Sequence, residues 1–98
     1  MSITVVRYRP QDGRADENQG LIEAVFAELA ETQPAGLRYI SFRLDDGTFV
    51  HIADVEGDTN PLVATDAFGR FTAEIGERCV PGETPNAQPA SVVGSYGF

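Results

Sequence analysis

Two strand-like runs joined by a three-residue turn constrain the fold of this chain most strongly. Residues 37–44 and 48–55 are rich in β-branched and aromatic side chains, and Asp45-Asp46-Gly47 suits a hairpin loop with a left-handed glycine. Such a turn pairs Leu44 with Thr48 and thereby fixes the register of both strands. One face of the hairpin then carries Ile40, Phe42, Val50 and Ile52, and the other carries Tyr39, Ser41, Arg43, Phe49, His51 and Ala53.

The remaining elements follow from periodicity and from turn residues. Residues 3–9 predict a first strand, and residues 15–32 predict an amphipathic helix with apolar positions three and four apart. A second helix is expected over residues 66–79. Three prolines and a glycine predict a loop over residues 81–89, and residues 91–98 predict a last strand. Asn60-Pro61 indicates a capped helical turn before the second helix.

This order predicts one α+β domain over residues 1–98, a ferredoxin-like βαββαβ sandwich with an antiparallel four-stranded sheet. Both helices then cover the same face of the sheet. The helix-facing set is predicted as Val6, Ile40, Phe42, Leu44, Val50, Ile52 and Val92. The open face is predicted to hold Ile3, Val5, Arg7, Leu37, Tyr39, Ser41, Arg43, Phe49, His51, Val55, Val93 and Ser95. Because a large exposed sheet face usually marks an interface, we expect a homodimer that forms through it.

Composition excludes several classes of function. The 98 residues include 7 Lys and Arg against 15 Asp and Glu, a net charge of −8 that repels phosphate backbones and anionic lipid headgroups. We therefore expect no nucleic-acid partner and no membrane partner, and the lack of a signal-peptide pattern predicts a cytoplasmic location. A single cysteine, Cys79, and a single histidine can form neither an internal disulfide nor a structural zinc site within one chain.

Several segments resemble the antibiotic biosynthesis monooxygenase group. They are Val5-Val6-Arg7-Tyr8-Arg9 before an acidic helix, Phe49-Val50-His51-Ile52-Ala53, Asn60-Pro61-Leu62 and Val92-Val93-Gly94-Ser95-Tyr96. The resemblance implies a dimeric α+β barrel with a small-molecule pocket in each subunit. Some members oxidise aromatic polyketides with molecular oxygen and without metal or flavin. It therefore implies a cofactor-independent monooxygenase-like enzyme for a small aromatic or polyketide-like substrate, with no cofactor and no metal.

The chain also departs from that group. It has no tryptophan, which the polyketide-oxidising and haem-degrading branches use in the pocket together with an asparagine. Its asparagines, Asn18, Asn60 and Asn86, are expected near helix starts or in loops. The single histidine falls on a strand, whereas the haem-degrading branch has its iron ligand on the second helix. A non-catalytic ligand-binding or structural dimer of the same fold is the alternative.

Six residues are candidates for the site. His51 is either a general base, since only its side chain ordinarily titrates near neutrality, or a structural histidine bonded to Ser41 or to the second subunit. Arg7 and Arg43 either hold a substrate anion or pair with carboxylates between subunits. Tyr39 and Tyr96 either bind substrate or pack. We expect His51, Ser41, Arg43 and Arg7 to line one polar pocket at or near the dimer interface.

Overall fold

The chain folds into a four-stranded antiparallel sheet with its helices on one face. The computed structural model describes residues 2–98. Its elements are β1 (Ser2–Tyr8), α1 (Ala15–Thr32), β2 (Leu37–Arg43), β3 (Phe49–Val55), a 3₁₀ turn (Pro61–Ala64), α2 (Asp66–Thr72), α3 (Ile75–Arg78) and β4 (Asn86–Ala90). The strand order is β2-β3-β1-β4. This is the predicted α+β ferredoxin-like fold. No helix within residues 2–98 combines the length and apolarity needed to cross a bilayer.

The hairpin register is confirmed residue by residue. Ser41 pairs with His51 and Ile40 with Ile52, and the Leu44 amide donates to the Thr48 carbonyl at 2.8 Å. Gly47 takes a positive φ of 89°, which explains the glycine at the end of the loop. β3 pairs on its other side with β1, where Tyr8 lies opposite Phe49.

The prediction of which hairpin face meets the helices is wrong. Phe49, His51 and Val55 are buried, whereas Ile40 and Phe42 are 48% and 45% exposed. The prediction put the more apolar face inward. The structure buries the mixed face instead, because its polar groups hydrogen-bond to one another and to buried groups of α1 and α3.

On β1 the predicted faces are confirmed, but the predicted grouping of these residues with those of the hairpin is wrong. Arg7 pairs with Val50 and Val5 with Ile52, so these four side chains share the open face. Val6, by contrast, packs against the buried core and not with the aliphatic set of the hairpin.

The last strand lies earlier than predicted. β4 covers Asn86–Ala90 and pairs with β1, so the segment predicted as a loop supplies the strand. Pro89 is tolerated there because β4 is an edge strand, with only one neighbour to satisfy. Residues 91–98 form no strand and are exposed.

The second helix is present but broken. α2 ends at Thr72, and Glu74 adopts a left-handed conformation with a φ of 61° before the short α3 begins. The Arg78 side chain bonds to the carbonyls of Phe71 and Ala73, which the end of α2 leaves free. The break between α2 and α3 thus directs the Arg78 side chain into the protein interior.

α1 matches its predicted range and carries one polar residue into the core. Its buried side chains are Asn18, Ile22 and Val25, which stand four and three residues apart on one stripe. Ile22 and Val25 pack in one cluster with Tyr8, Phe49 and Phe71 from the sheet and α2. This packing places Asn18 next to the polar residues of β1 and β3.

Candidate active site

His51 lies at the centre of a buried group of hydroxyls. Its side chain is 4% exposed. Its Nε2 lies 2.8 Å from Tyr8 Oη, and its Nδ1 lies 2.5 Å from Tyr39 Oη and 2.8 Å from Ser41 Oγ. Three neighbouring strands thus bring these groups together, and both ring nitrogens have protein partners.

The hydrogen bonds continue from Tyr8 into the helices. Asn18 Nδ2 donates to Tyr8 Oη at 2.9 Å, and Arg78 Nε and Nη2 both donate to Asn18 Oδ1 at 3.3 Å. Asn18 is fully buried, and Arg78 is 3% exposed. We call the connected side chains Arg78, Asn18, Tyr8, His51, Tyr39 and Ser41 the histidine network.

Arg78 is a buried cation held by neutral acceptors. Besides Asn18, its guanidinium donates to the Phe71 carbonyl at 2.6 Å and to the Ala73 carbonyl at 3.1 Å. Its Cζ also lies 5.6 Å from the centre of the Phe71 ring, in range of a cation–π contact. Among residues 2–98, the ion pairs involve Arg14, Arg38 and Arg43 and not Arg78. The network therefore ends in a positive charge that has no carboxylate within ion-pair distance among the described residues.

Aromatic rings fix the imidazole from several sides. The His51 ring stacks on Tyr8 with 5.3 Å between centres and on Tyr39 with 5.8 Å. Phe71 of α2 approaches it at 5.4 Å. Such packing restricts the imidazole to one orientation, which is what a proton-transfer group requires.

Burial sets the protonation states. It lowers the pKa of His51 to about 4, so the imidazole is neutral at neutral pH. Burial also raises the pKa of Tyr8 well above its ordinary value, although the hydrogen bond from Asn18 opposes this. Burial likewise raises the pKa of Tyr39. The site therefore contains a neutral imidazole between protonated phenols.

A cavity of about 400 Å³ adjoins the histidine network, between the helix-facing side of the sheet and α2. Tyr8, Tyr39 and His51 form its polar wall. Most of the remaining wall is apolar: the lining includes Val6, Ala53, Val55, Leu62, Phe68, Phe71 and Ile75, with Asn60 and Asp58 among its polar members. A cavity of this size and character suits a small, largely apolar molecule that carries one or two polar groups.

The structure brings together only half of the predicted site residues. His51, Tyr39 and Ser41 form one cluster, as the register implies. Arg43 lies on the same face of the sheet as His51. Its guanidinium, however, donates to Asp16 at 3.0 Å and to Gln19 at 2.8 Å on the exposed side of α1. Arg7 lies on the opposite face of the sheet, and Tyr96 is 94% exposed in residues 91–98.

The predicted polar pocket that joins His51, Ser41, Arg43 and Arg7 is therefore wrong. It assumed that β1 and β3 present Arg7 and His51 to the same side, but Arg7 pairs with Val50, one residue from His51. Since successive strand residues point to opposite faces, this offset separates the two side chains. The His51 cluster lies between the sheet and the helices of a single chain.

Sequence reasoning missed Tyr8, Asn18 and Arg78. Asn18 was expected near a helix start outside the pocket. Its position four residues before Ile22 and seven before Val25 is a usable signal, since it places the amide on the buried stripe. Arg78 gave no such signal, because its burial depends on the break between α2 and α3. No three His, Cys, Asp or Glu side chains cluster as metal ligands within residues 2–98.

Several solved structures with the same fold are named as monooxygenases or oxygenases. The chain is similar to a variant of SnoaB, a cofactor-independent oxygenase from Streptomyces nogalater, with 16% identity, 99% and 97% of the two chains covered, and a TM-score of 0.69. A candidate antibiotic biosynthesis monooxygenase from Nitrosomonas europaea gives 12% identity, coverage of 95% and 99%, and a TM-score of 0.72. Another antibiotic biosynthesis monooxygenase gives 19% identity, coverage of 96% and 100%, and a TM-score of 0.68.

No protein-family model matches the chain, and no curated protein matches it in sequence. At these identities the structural matches establish the fold. The α+β fold of the antibiotic biosynthesis monooxygenase structures is thereby confirmed for the single chain over nearly its whole length, whereas the dimeric barrel stays a prediction.

Proposed function

We propose that this protein is a cofactor-independent monooxygenase-like enzyme that acts on a small aromatic or polyketide-like molecule. The observation that carries the proposal is the cavity of about 400 Å³ with a buried, neutral imidazole between two tyrosines in its wall. The oxygenase name of a structure with the same fold supports the same class of reaction. Fold alone does not assign a function, so the proposal depends on the site.

In the proposed mechanism His51 acts as a general base. It accepts the proton of an acidic phenol or enol, and the resulting electron-rich anion reacts with dioxygen inside the apolar cavity. Both nitrogens of His51 are covered by hydroxyls, so the proton reaches the ring through one of them. Tyr8 and Tyr39 line the cavity and are the hydroxyls that can carry it.

The positive charge for the substrate anion comes from Arg78 in this proposal, not from Arg7 or Arg43. Arg78 is buried and connects to the cavity wall through Asn18 and Tyr8. In a medium of low dielectric constant, an unneutralised cation favours the ionised form of a nearby acid. The substrate class that fits best is therefore one that becomes anionic on losing a single proton.

A non-catalytic ligand-binding or structural protein is the second candidate. One observation favours it: both His51 nitrogens are already hydrogen-bonded within the protein, as expected of a histidine that only stabilises the core. The cavity then binds a ligand without converting it, or it has no physiological ligand.

We further propose that two copies associate through the open face of the sheet. Ile40, Phe42 and Leu44 are all at least 40% exposed there, and residues 91–98 add further exposed apolar side chains. A second copy with the same apolar face is a natural partner, since a twofold dimer joins identical surfaces. A cytoplasmic location and the absence of a nucleic-acid partner stay predictions from composition.

Oxygen consumption by the purified protein, measured with a panel of phenols and enolisable polyketide-like compounds, tests the catalytic proposal. We expect uptake with at least one compound, a loss of at least 100-fold in the His51→Gln variant, and a comparable loss in Ala53→Leu, which fills the cavity and leaves the network intact. Ala27→Leu, on the exposed side of α1, is the control for the second variant. Compounds that bind in the cavity without oxygen uptake would favour the second candidate.

A further inference from the structure

In the histidine network, the donor and the acceptor of two hydrogen bonds, Arg78 to Asn18 and Asn18 to Tyr8, follow from the side-chain types. An arginine has no acceptor, so both of its bonds to Asn18 must end on the amide oxygen. The amide nitrogen of Asn18 then faces Tyr8 and can only donate to Tyr8 Oη. Arg78 thus decides which way the buried amide points.

The direction of the Asn18–Tyr8 hydrogen bond also affects the protonation of the imidazole. Because Tyr8 Oη accepts from Asn18, its own proton is free to donate to His51 Nε2, 2.8 Å away. In the opposite tautomer, Nε2–H and Asn18 would both donate to Tyr8, and the tyrosine proton would have no acceptor among the contacts of residues 2–98. With the proton on Nδ1, the hydroxyl left without a protein acceptor is that of Tyr39 or Ser41, and these two side chains are only partly buried, whereas Tyr8 is 3% exposed. An unsatisfied donor costs more the more deeply it is buried, so the network favours an imidazole with its proton on Nδ1. Nδ1–H then donates to Tyr39 Oη and Ser41 Oγ.

We propose that Tyr8 is the proton relay between a bound substrate and His51, and that Asn18 and Arg78 are positioning residues that hold the imidazole in the Nδ1–H tautomer. The inference rests on the proposed function, since it assigns the proton path of the same site. Three hydroxyls contact the imidazole, and two of them, those of Tyr8 and Tyr39, line the cavity. Only Tyr8 lies at the unprotonated nitrogen and can deliver a proton to it.

The transfer balances. The substrate O–H bond breaks as its proton binds to Tyr8 Oη, and the original Tyr8 proton moves to His51 Nε2. The products are a substrate anion, a neutral tyrosine and an imidazolium. The imidazolium then donates from Nε2 to Tyr8 and from Nδ1 to Tyr39 and Ser41, while Tyr8 directs its new proton at the anion. Tyr8 and both imidazolium nitrogens therefore have acceptors for their protons once an anion occupies the cavity.

Nitrogen-15 NMR of the His51 ring tests the positioning residues without a substrate. We expect the Nδ1–H tautomer in the unaltered protein. Asn18→Asp keeps the shape of the side chain but accepts from Tyr8, so we expect the ring to change to the Nε2–H tautomer. Gln19→Glu adds the same charge one residue away and should leave the tautomer unchanged. An Nε2–H ring in the unaltered protein, or no change in Asn18→Asp, would overturn the assignment.

The relay itself is tested with para-nitrophenol, whose ionised form is coloured. We expect the unaltered protein to bind it as the phenolate and to lower its apparent pKa by at least one unit. Tyr8→Phe keeps the ring and removes the hydroxyl, so the bound probe should stay neutral, whereas Tyr39→Phe should still ionise it. Ionisation that survives in Tyr8→Phe, or a failure of the unaltered protein to bind or ionise the probe, would overturn the relay.

Both readouts are independent of dioxygen. If the tautomer and the ionisation of the probe are as expected but the protein consumes no oxygen, the proton path is present and the proposed activity is absent. A protein that consumes oxygen while Tyr8→Phe still ionises the probe has the activity with a different proton path.

Discussion

At the scale of single residues, His51 is a titratable group that the fold removes almost completely from water. It is buried under Phe71 and between Tyr8 and Tyr39, with no carboxylate among its hydrogen-bond partners. Burial without a compensating negative charge disfavours the imidazolium, and this is why its pKa falls to about 4. The free energy of unfolding must therefore depend on pH through this residue.

We expect that free energy to decrease as pH falls through the range between the two His51 pKa values. His51 binds its proton near pH 6.5 in the unfolded chain but only near pH 4 in the folded protein. The contribution of neutral His51 to the free energy of unfolding is therefore complete above pH 6.5 and is lost as the pH falls toward 4. The expected loss is about 3 kcal/mol in total, of which about 1.5 kcal/mol falls between pH 6.5 and 5. The titratable groups facing His51, Tyr8 and Tyr39, stay neutral in this range, because burial raises the pKa of both phenols.

Urea unfolding at several pH values, with His51→Gln as the comparison, measures this contribution. The variant lacks the titrating ring, so its curve should be flat between pH 6.5 and 5 apart from the slope that both proteins share. Equal slopes in the two proteins would show that His51 is protonated as easily in the folded protein as in the unfolded chain.

At the scale of elements, α1 and α2 are joined by a side chain that caps a helix. The Glu28 carboxylate of α1 accepts from the amides of Asp66 and Ala67 at 3.1 and 2.8 Å, and Thr65 accepts from Phe68. These amides at the start of α2 have no partner within the helix, and a negative charge also suits this end of its dipole. The contact fixes α2 and hence Phe71 above the imidazole.

Glu28→Ala should lower the free energy of unfolding by about 1 to 2 kcal/mol, because it leaves two amides without their acceptors. Chemical denaturation of this variant and of Glu23→Ala, an exposed position on the same helix, gives the measurement and its control. A loss of the same size in both variants would mean that helix propensity, not capping, is responsible.

The break between α2 and α3 also has a measurable effect. Glu74 is a non-glycine residue at a φ of 61°, a conformation that glycine adopts without steric cost. Glu74→Gly should therefore raise the free energy of unfolding by up to about 1 kcal/mol, whereas Glu77→Gly within α3 should lower it by about as much. Thermal and urea unfolding of the two variants would distinguish a left-handed break from a continuous helix, in which both substitutions destabilise.

At the scale of the whole molecule, one face of the sheet carries the site and the other remains uncovered. The helices cover Phe49 and His51, while Ile40, Phe42 and Leu44 stay accessible. Stable interfaces bury roughly 800 Å² on each partner, an area that one face of a small four-stranded sheet can supply. The proposed dimer therefore leaves the cavity within each protomer.

Phe42→Asp should convert the proposed dimer to a monomer, because it introduces a charge at the centre of an apolar interface. Sedimentation velocity at micromolar concentration measures the change, and Ala27→Asp on the exposed side of α1 is the control. The tautomer of His51 should be the same in both variants, since the network lies on the opposite face. A monomeric unaltered protein, or a Phe42→Asp variant that still forms dimers, would contradict association through this face.

Local patterns in the sequence were sufficient for the element order, the range of α1 and the pairing of β2 with β3. The Asp45-Asp46-Gly47 loop fixes that pairing within a few residues of the turn, and the spacing of Ile22, Val25 and Leu29 identifies a helix face without reference to the rest of the chain. His51, Ser41 and Tyr39 could be grouped for the same reason. They lie on paired strands whose register is a local property.

The orientation of the hairpin and the membership of the site depend on contacts between distant segments. Both hairpin faces contain enough apolar surface to be buried, so hydrophobicity could not decide between them. The choice follows from hydrogen bonds that join Tyr8 to His51, 43 residues apart, and Asn18 to Arg78, 60 residues apart. A polar side chain is stable in the core only where such a partner exists. That condition is met when β1, α1 and α3 close around β3, and no local pattern in the chain records it.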